Sequence, residues 1–178
     1  IVGYSYGRNM DRSLVISALT NSWQNQNYPN NVILHSDRGS QYTSSEYIAA
    51  AVRMGFRLSY SKKGCPFDNA PMESFHSVLK KEEVYLKHYS SFHEANIRLF
   101  DYINGFYNRN RIHSAINFLS PIQFENSLFY SYFFSPFCVQ IIDYGSVCCF
   151  PACYVVIKME NNAADIRVSA QVFLKRHW

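Results

Sequence analysis

Apolar residues recur along the chain with two periods, and the changes of period outline alternating strands and helices. Residues 1–6 alternate weakly and are rich in β-prone types, which predicts a strand at the start. From Asp11 to Trp23 the apolar positions Leu14, Val15, Ala18, Leu19 and Trp23 follow helical spacing. Pro29-Asn30-Asn31 predicts a turn, and Val32-Ile33-Leu34 then reads as a short buried strand ending in His35-Ser36-Asp37. Thr43 and Glu46 have capping-box spacing, with Tyr47, Ile48, Ala51 and Val52 on one face of the helix they predict. Gly55 stands where a helix C-terminal glycine belongs, Phe56–Tyr60 reads as a strand, and residues 62–66 as a loop.

Helical spacing then dominates. Pro71 suits a first helical turn, where its missing N–H costs nothing, and Met72, Phe75, Leu79 and Leu86 predict the core face of that helix. Ser91 and Glu94 form a second capping-box pattern, opening a helix with Phe92, Ala95, Leu99, Ile103 and Phe106 on one side. Ser120-Pro121-Ile122-Gln123 predicts another helix start. Strands with helices between them imply an α/β layer structure. Further on, Phe137–Ile142 and Tyr154–Met159 are strand-prone, so the C-terminal stretch is expected to form a hairpin or to patch a sheet edge.

Composition changes this picture in one place. The 178 residues are 48% hydrophobic, enough to bury a core, and the net charge is +4. Residues 1–124 carry all of that charge, and residues 125–178 are neutral. Four of the five cysteines (Cys138, Cys148, Cys149 and Cys153) and the run Phe129-Tyr130-Ser131-Tyr132-Phe133-Phe134 also fall in the second part. We therefore expect a boundary near Glu125, with residues 1–125 one domain and 126–178 an unrelated tail. Five cysteines do not make a disulfide scaffold, and the cysteine spacing lacks the paired ligands of a zinc site. Pro136, Asp143, Gly145 and Pro151 interrupt the apolar run of the tail, so no membrane span is expected. No signal-peptide pattern opens the chain, and free thiols in a reducing compartment are the expectation.

Candidate chemistry gathers in the basic part. Asp37 ends a strand, the edge where open α/β sheets bind ligands, and His35 shares its face by alternation. Gly39 would let the backbone approach a ligand closely. Glu73, Ser77 and Lys80 recur at helical spacing beside the Met72–Phe75–Leu79 face, with His76 at the border of this polar stripe. Carboxylates from a strand end and a helix suit hard divalent cations such as Mg²⁺, and a pair of such ions can clamp a phosphoryl displacement. Tyr107-Asn108-Arg109-Asn110-Arg111-Ile112-His113 mixes cations, amides and an aromatic, as a phosphate-binding segment would. A turn aspartate, a surface glutamate and a solvated inter-helix loop are the plain structural readings of the same three features.

The segment His35-Ser36-Asp37-Arg38-Gly39-Ser40-Gln41-Tyr42 resembles the second-aspartate signature of bacterial insertion-sequence transposases of the DDE class, which share the retroviral-integrase core. The segment from Ser61 to Phe75 (SKKGCPFDNAPMESF) resembles the one carrying their catalytic glutamate. Between Asp37 and Glu73 lie 35 residues, the spacing usual in that family. Tyr107-Asn108, Arg111, His113-Ser114 and Ser120-Pro121 are similar to its C-terminal motif. The resemblance covers roughly residues 1–125.

It implies a ribonuclease H-like integrase core with C-terminal helices. It also implies two Mg²⁺ (or Mn²⁺) ions held by three carboxylates, which support DNA cleavage and strand transfer. Asp37 and Glu73 correspond to the second and third carboxylates and to metal ligands, and Lys80 to the lysine that contacts DNA. Lys62, Lys63, Arg109, Arg111 and His113 are further expected DNA contacts. The partners implied are element-end and target DNA and further copies in a synaptic complex, in the cytoplasm at the bacterial nucleoid. The family's first aspartate lies on a strand before the position of Ile1, so an incomplete core lacking its first two strands is expected, with no strand transfer by this chain alone. The alternatives are a non-enzymatic DNA-binding or inhibitory remnant, and a nuclease or viral-type integrase of the same fold.

Overall fold

The structure is a computed structural model describing residues 1–9, 11–28, 32–63, 70–133, 152–159, 166–168 and 172–176, with side chains described up to residue 127 except Pro71. The expected turn at 29–31, the loop residues 64–69 and the strand-prone stretch 137–142 lie outside the described residues. The chain divides into two compact units, residues 1–97 with 151–178, and residues 98–150.

The first unit is built on a sheet. Strand β1 (Gly3–Gly7) leads into helix α1 (Arg12–Asn25), β2 (Val32–Ser36), α2 (Ser45–Arg53), β3 (Phe56–Tyr60) and α3 (Ala70–Glu82). Near the C-terminus come β4 (Ala152–Met159), β5 (Ile166–Val168) and β6 (Val172–Arg176). The sheet order is β1-β4-β6-β2-β3, with β5 paired to β4. β2 and β3 run parallel with His35 opposite Ser59 and Ser36 opposite Tyr60. β1 and β4 are also parallel, whereas β6 runs antiparallel to both β4 and β2. Tyr154–Met159 therefore lies in a strand whose partners are β1, β5 and β6. Of the three C-terminal strands, β4 and β6 stand inside the sheet, between β1 and β2, and not at its edge.

Local signals set the helix ends. Asp11 caps α1 by accepting the Leu14 N–H at 2.9 Å. Leu14, Val15, Ala18 and Leu19 are buried, and α1 packs on β1, where a Cβ on Gly3 would lie 2.5 Å from the backbone nitrogen of Ser22. The capping box expected at Thr43 and Glu46 is displaced. Ser44 takes the cap position and accepts the Tyr47 N–H, while the Glu46 carboxylate pairs with Arg12 at 2.7 Å. A serine one residue nearer the helix does the same work for the N–H groups, which frees Thr43 to bond the Gly39 carbonyl. After α2, Gly55 adopts φ 78°, the left-handed helix stop expected of it.

Three expected face positions are corrected. Val52 is 61% exposed, because the buried side of α2 is set by Tyr47, Ala50 and Ala51 and Val52 falls beyond its edge. Leu86 is 71% exposed, because α3 ends at Glu82 and residues 84–86 form a separate short 3₁₀ turn. Phe106 is exposed, because helix α4 (Phe92–Phe100) continues as a π-helix over Asp101–Tyr107. The Asn108 N–H reaches back five residues to the Ile103 carbonyl. These wider turns rotate the face, so that Ile103 stays buried as expected and Tyr102 and Tyr107 are buried in place of Phe106. The Ser91 hydroxyl accepts the Glu94 N–H, and the Glu94 carboxylate returns to the N–H of Ser90. At the start of α5 (Pro121–Phe133) the box is reciprocal: Ser120 Oγ accepts the Gln123 N–H and Gln123 Oε1 accepts the Ser120 N–H. α5 runs unbroken through the compositional boundary at Glu125.

Candidate active site

Asp37 follows the last residue of β2 and is half-buried. Its Oδ1 accepts the Gly39 N–H at 2.8 Å, which bends the chain sharply away from the strand. The side chain of Gly39 is absent for a reason, since a Cβ there would lie 3.0 Å from Asp37 Oδ1 and 3.2 Å from Gln41 Oε1. The N–H groups of Tyr42 and Thr43 both return to the Gly39 carbonyl and close the turn ahead of α2.

The neighbouring strand end is laced to this turn. His35 lies on the same strand face as Asp37, two residues earlier, with Nδ1 3.0 Å from Ser59 Oγ and Nε2 3.0 Å from Ser61 Oγ. The Ser61 N–H donates to the Ser36 carbonyl, and Arg38 Nε donates to the Ser61 carbonyl. Ser59 and Ser61 were not among the expected site residues. Their signal is positional: they fall at the same depth as His35 and Asp37 on an adjacent, equally long strand.

Glu73 is placed differently. It sits in the first turn of α3, exposed, and among the described residues its carboxylate has no hydrogen bond or ion pair. What fixes its helix is the opposite face, where Met72, Phe75 and Leu79 are at most 2% exposed. His76 is half-buried beside this face; burial, and secondarily the positive charge of Lys80, hold its imidazole down at about 4, so it is neutral at pH 7. Lys80 is half-buried one turn further, and Lys62 and Lys63 are exposed just beyond β3.

Arg109, Arg111 and His113 belong to the second unit. Arg109 is exposed. Arg111 and His113 are gathered on one aromatic ring: the guanidinium lies 5.8 Å from the centre of Tyr107, the His113 ring 5.0 Å from it, and Arg111 Nη1 is 3.3 Å from His113 Nδ1. The loop bearing His113 is closed on itself, its N–H donating to the Leu119 carbonyl and its carbonyl accepting from Phe118.

The carboxylates suit a hard divalent cation in kind, because such ions take oxygen ligands. Among the described residues no three His, Cys, Asp or Glu side chains stand close enough together to hold a metal ion. Also among the described residues, no helix is long and apolar enough to cross a membrane.

Comparison with known proteins decides the family. Two models described as integrase core domain match the chain, one over residues 1–66, which includes Asp37, and the other over residues 73–129, which begins at Glu73. The chain belongs to the integrase core domain family. It is 39% identical over 125 residues to the transposase for insertion sequence element IS904 of Lactococcus lactis, covering 70% of this chain and 49% of that protein. It is 42% identical over 126 residues to transposase InsF for insertion sequence IS3A of Escherichia coli, covering 71% of this chain and 44% of the relative. The chain thus spans less than half the length of these relatives. Its mixed α/β sheet and helices are those of a partial ribonuclease H-like integrase core.

Proposed function

We propose that this chain is the C-terminal part of an insertion-sequence transposase catalytic core, acting in DNA cleavage and strand transfer. The observation that carries this reading is the coincidence of Asp37, at the C-terminal end of a sheet strand, and Glu73, in the first turn of a helix, with the two integrase core matches. Asp37 and Glu73 are the carboxylates that would hold Mg²⁺ or Mn²⁺. When bound, such ions supply Lewis-acid activation of the attacking oxygen and charge neutralisation at the scissile phosphate. Lys62, Lys63, Lys80, Arg109 and Arg111 neutralise backbone phosphates of element-end and target DNA, with His113 accepting from Arg111 through Nδ1 and so holding that guanidinium in place, and such contacts weaken as salt rises. Several copies acting in one synaptic complex, at the bacterial nucleoid, complete the reading.

By themselves the 178 residues do not carry out strand transfer, because two carboxylates give each of two ions about one protein ligand. The exposed Lys62, Lys63 and Arg109 equally suit a second reading, a DNA-binding or inhibitory remnant of a transposase. One experiment separates the two. The purified chain, and the same chain joined in frame to an aspartate-bearing upstream segment, are incubated with Mn²⁺ and a labelled duplex carrying the element's terminal sequence. Nicking only by the joined protein, abolished by Asp37→Asn and by Glu73→Gln, is expected. A nick by the chain alone that Glu73→Gln abolishes would overturn the inactivity. Nicking by the joined protein that survives both substitutions would overturn the assignment of the carboxylates.

A further inference from the structure

Ser61 is held more firmly than the end of a strand requires. The parallel ladder between β2 and β3 needs only the Ser61 N–H on the Ser36 carbonyl, at 2.8 Å. Here the remaining polar groups of Ser61 are engaged as well: its carbonyl accepts Arg38 Nε at 3.2 Å, and its hydroxyl lies 3.0 Å from His35 Nε2. The residue is 8% exposed, so water offers these groups little competition. The other ring nitrogen of His35 is committed to Ser59 Oγ, also at 3.0 Å. A neutral imidazole has one donor and one acceptor nitrogen, and a serine hydroxyl can play either part, so both contacts are satisfied at once in either tautomer.

The order of the residues gives this arrangement its meaning. Asp37 stands between His35 and Arg38, and both grip Ser61. The Asp37 backbone cannot slide along the strand, or twist about it, without breaking one of the two holds. Its carboxylate is then aimed by the short bond to the Gly39 N–H. Reacting groups need such support, because a carboxylate free to wander binds an ion or a phosphate poorly.

We propose that His35, through Ser59 and Ser61, is a positioning residue for the Asp37 carboxylate, with Ser61 the common anchor of the residues on either side of it. The proposal rests on the reading of Asp37 as a functional carboxylate. Ser61→Ala removes the hydroxyl alone, and Ser61→Thr keeps it in a residue that strands tolerate well.

Two measurements on the full chain test it. Backbone amide exchange at Gly39 reports the aim of Asp37, since that N–H donates to Asp37 Oδ1. Mn²⁺ affinity, read from water proton relaxation with the metal alone, reports what the aim achieves, with Asp37→Asn as reference. Losing one hydrogen bond of ordinary strength speeds Gly39 exchange by about fivefold in Ser61→Ala. His35→Ala does so at least as strongly, Ser61→Thr stays within about twofold of the parent, and Mn²⁺ affinity falls in the same order. Unchanged Gly39 exchange in Ser61→Ala, with the chain folded, overturns the proposal, as does equal loss in Ser61→Thr and Ser61→Ala. If Gly39 exchange responds as expected but Asp37→Asn leaves Mn²⁺ binding untouched, the positioning stands and the reading of Asp37 as a metal ligand falls.

Discussion

Asp37 ends a strand inside a net of polar contacts, whereas Glu73 rides the first turn of a helix gripped by its apolar side. The Asp37 carboxylate is fixed by the Gly39 N–H, and its chain neighbours by Ser59 and Ser61. Glu73 has no described polar partner, and its position is that of α3, set by Met72, Phe75 and Leu79. The contrast shows two ways of presenting a carboxylate. A hydrogen-bond net fixes direction to within a bond angle, but each link contributes only about 1 kcal/mol. An apolar face fixes a whole helix at several kcal/mol per side chain, and leaves the exposed rotamer free.

The largest effect therefore belongs to the helix. Phe75→Ala empties a site that is 2% exposed and costs about 3–5 kcal/mol, read as a fall in the denaturant midpoint without a change of slope. A cost below about 1 kcal/mol would break the comparison, because α3 would then be held by something other than its apolar side.

Acid is the next largest test, and it acts on the same helix. His76 has its pKa lowered to about 4, from 6.5, by burial and by Lys80. In the unfolded chain it takes up a proton as pH falls below about 6.5, and in the folded chain it resists until about pH 4. Stability is thus unaffected above that window and is lost as pH falls through it, by at most about 3 kcal/mol. Removing the imidazole in His76→Gln should flatten this part of the stability–pH curve. A curve of unchanged slope between pH 6.5 and pH 4 would show that His76 titrates normally.

How much of this was legible in the sequence follows the same division. The helix starting at Asp11, the buried face of α1, the left-handed Gly55 and the shared face of His35 and Asp37 all come from local rules, and the structure keeps them. Local rules failed where one extra residue changed a helix's phase. The π-turns at Asp101–Tyr107 moved the buried position from Phe106 to Tyr107, and no periodicity of 3.6 foretells that. Ser44 displaced Thr43 as a cap because two adjacent hydroxyl residues compete for one task, and only the backbone decides between them. The order β1-β4-β6-β2-β3 was illegible for a different reason: it joins strands from opposite ends of the chain. The roles of Ser59 and Ser61 needed the register of β3 against β2, which is also nonlocal.

On the Asp37 side the expected effects are smaller, and Gly39→Ala is the sharper of them. The added methyl would lie 3.0 Å from Asp37 Oδ1 and 3.3 Å from Tyr42 Cδ2, closer than ordinary contact. Crowding of this kind costs about 1–3 kcal/mol, and here the carboxylate is one of the groups that must give way. Reduced Mn²⁺ affinity alongside the lowered unfolding midpoint is expected. A loss of stability with unaltered affinity would mean that the turn yields on the Gln41–Tyr42 side and leaves Asp37 where it is.

Ser44→Ala makes the smallest change, and it isolates the turn from the carboxylate. Ser44 Oγ accepts the Tyr47 N–H at 3.3 Å and donates to the Gln41 carbonyl at 2.8 Å, tying the start of α2 to the end of the Gly39 turn. Loss of a cap of this type costs about 1 kcal/mol. Tyr47 is fully buried, so its N–H cannot recover the bond from water without the helix fraying. If the strand-end net alone directs Asp37, Ser44→Ala should lower the unfolding midpoint slightly and leave Gly39 amide exchange at its parent rate. Faster exchange at Gly39 would show that α2 shares in aiming the carboxylate, and the division between a net-held Asp37 and a helix-held Glu73 would then be too simple.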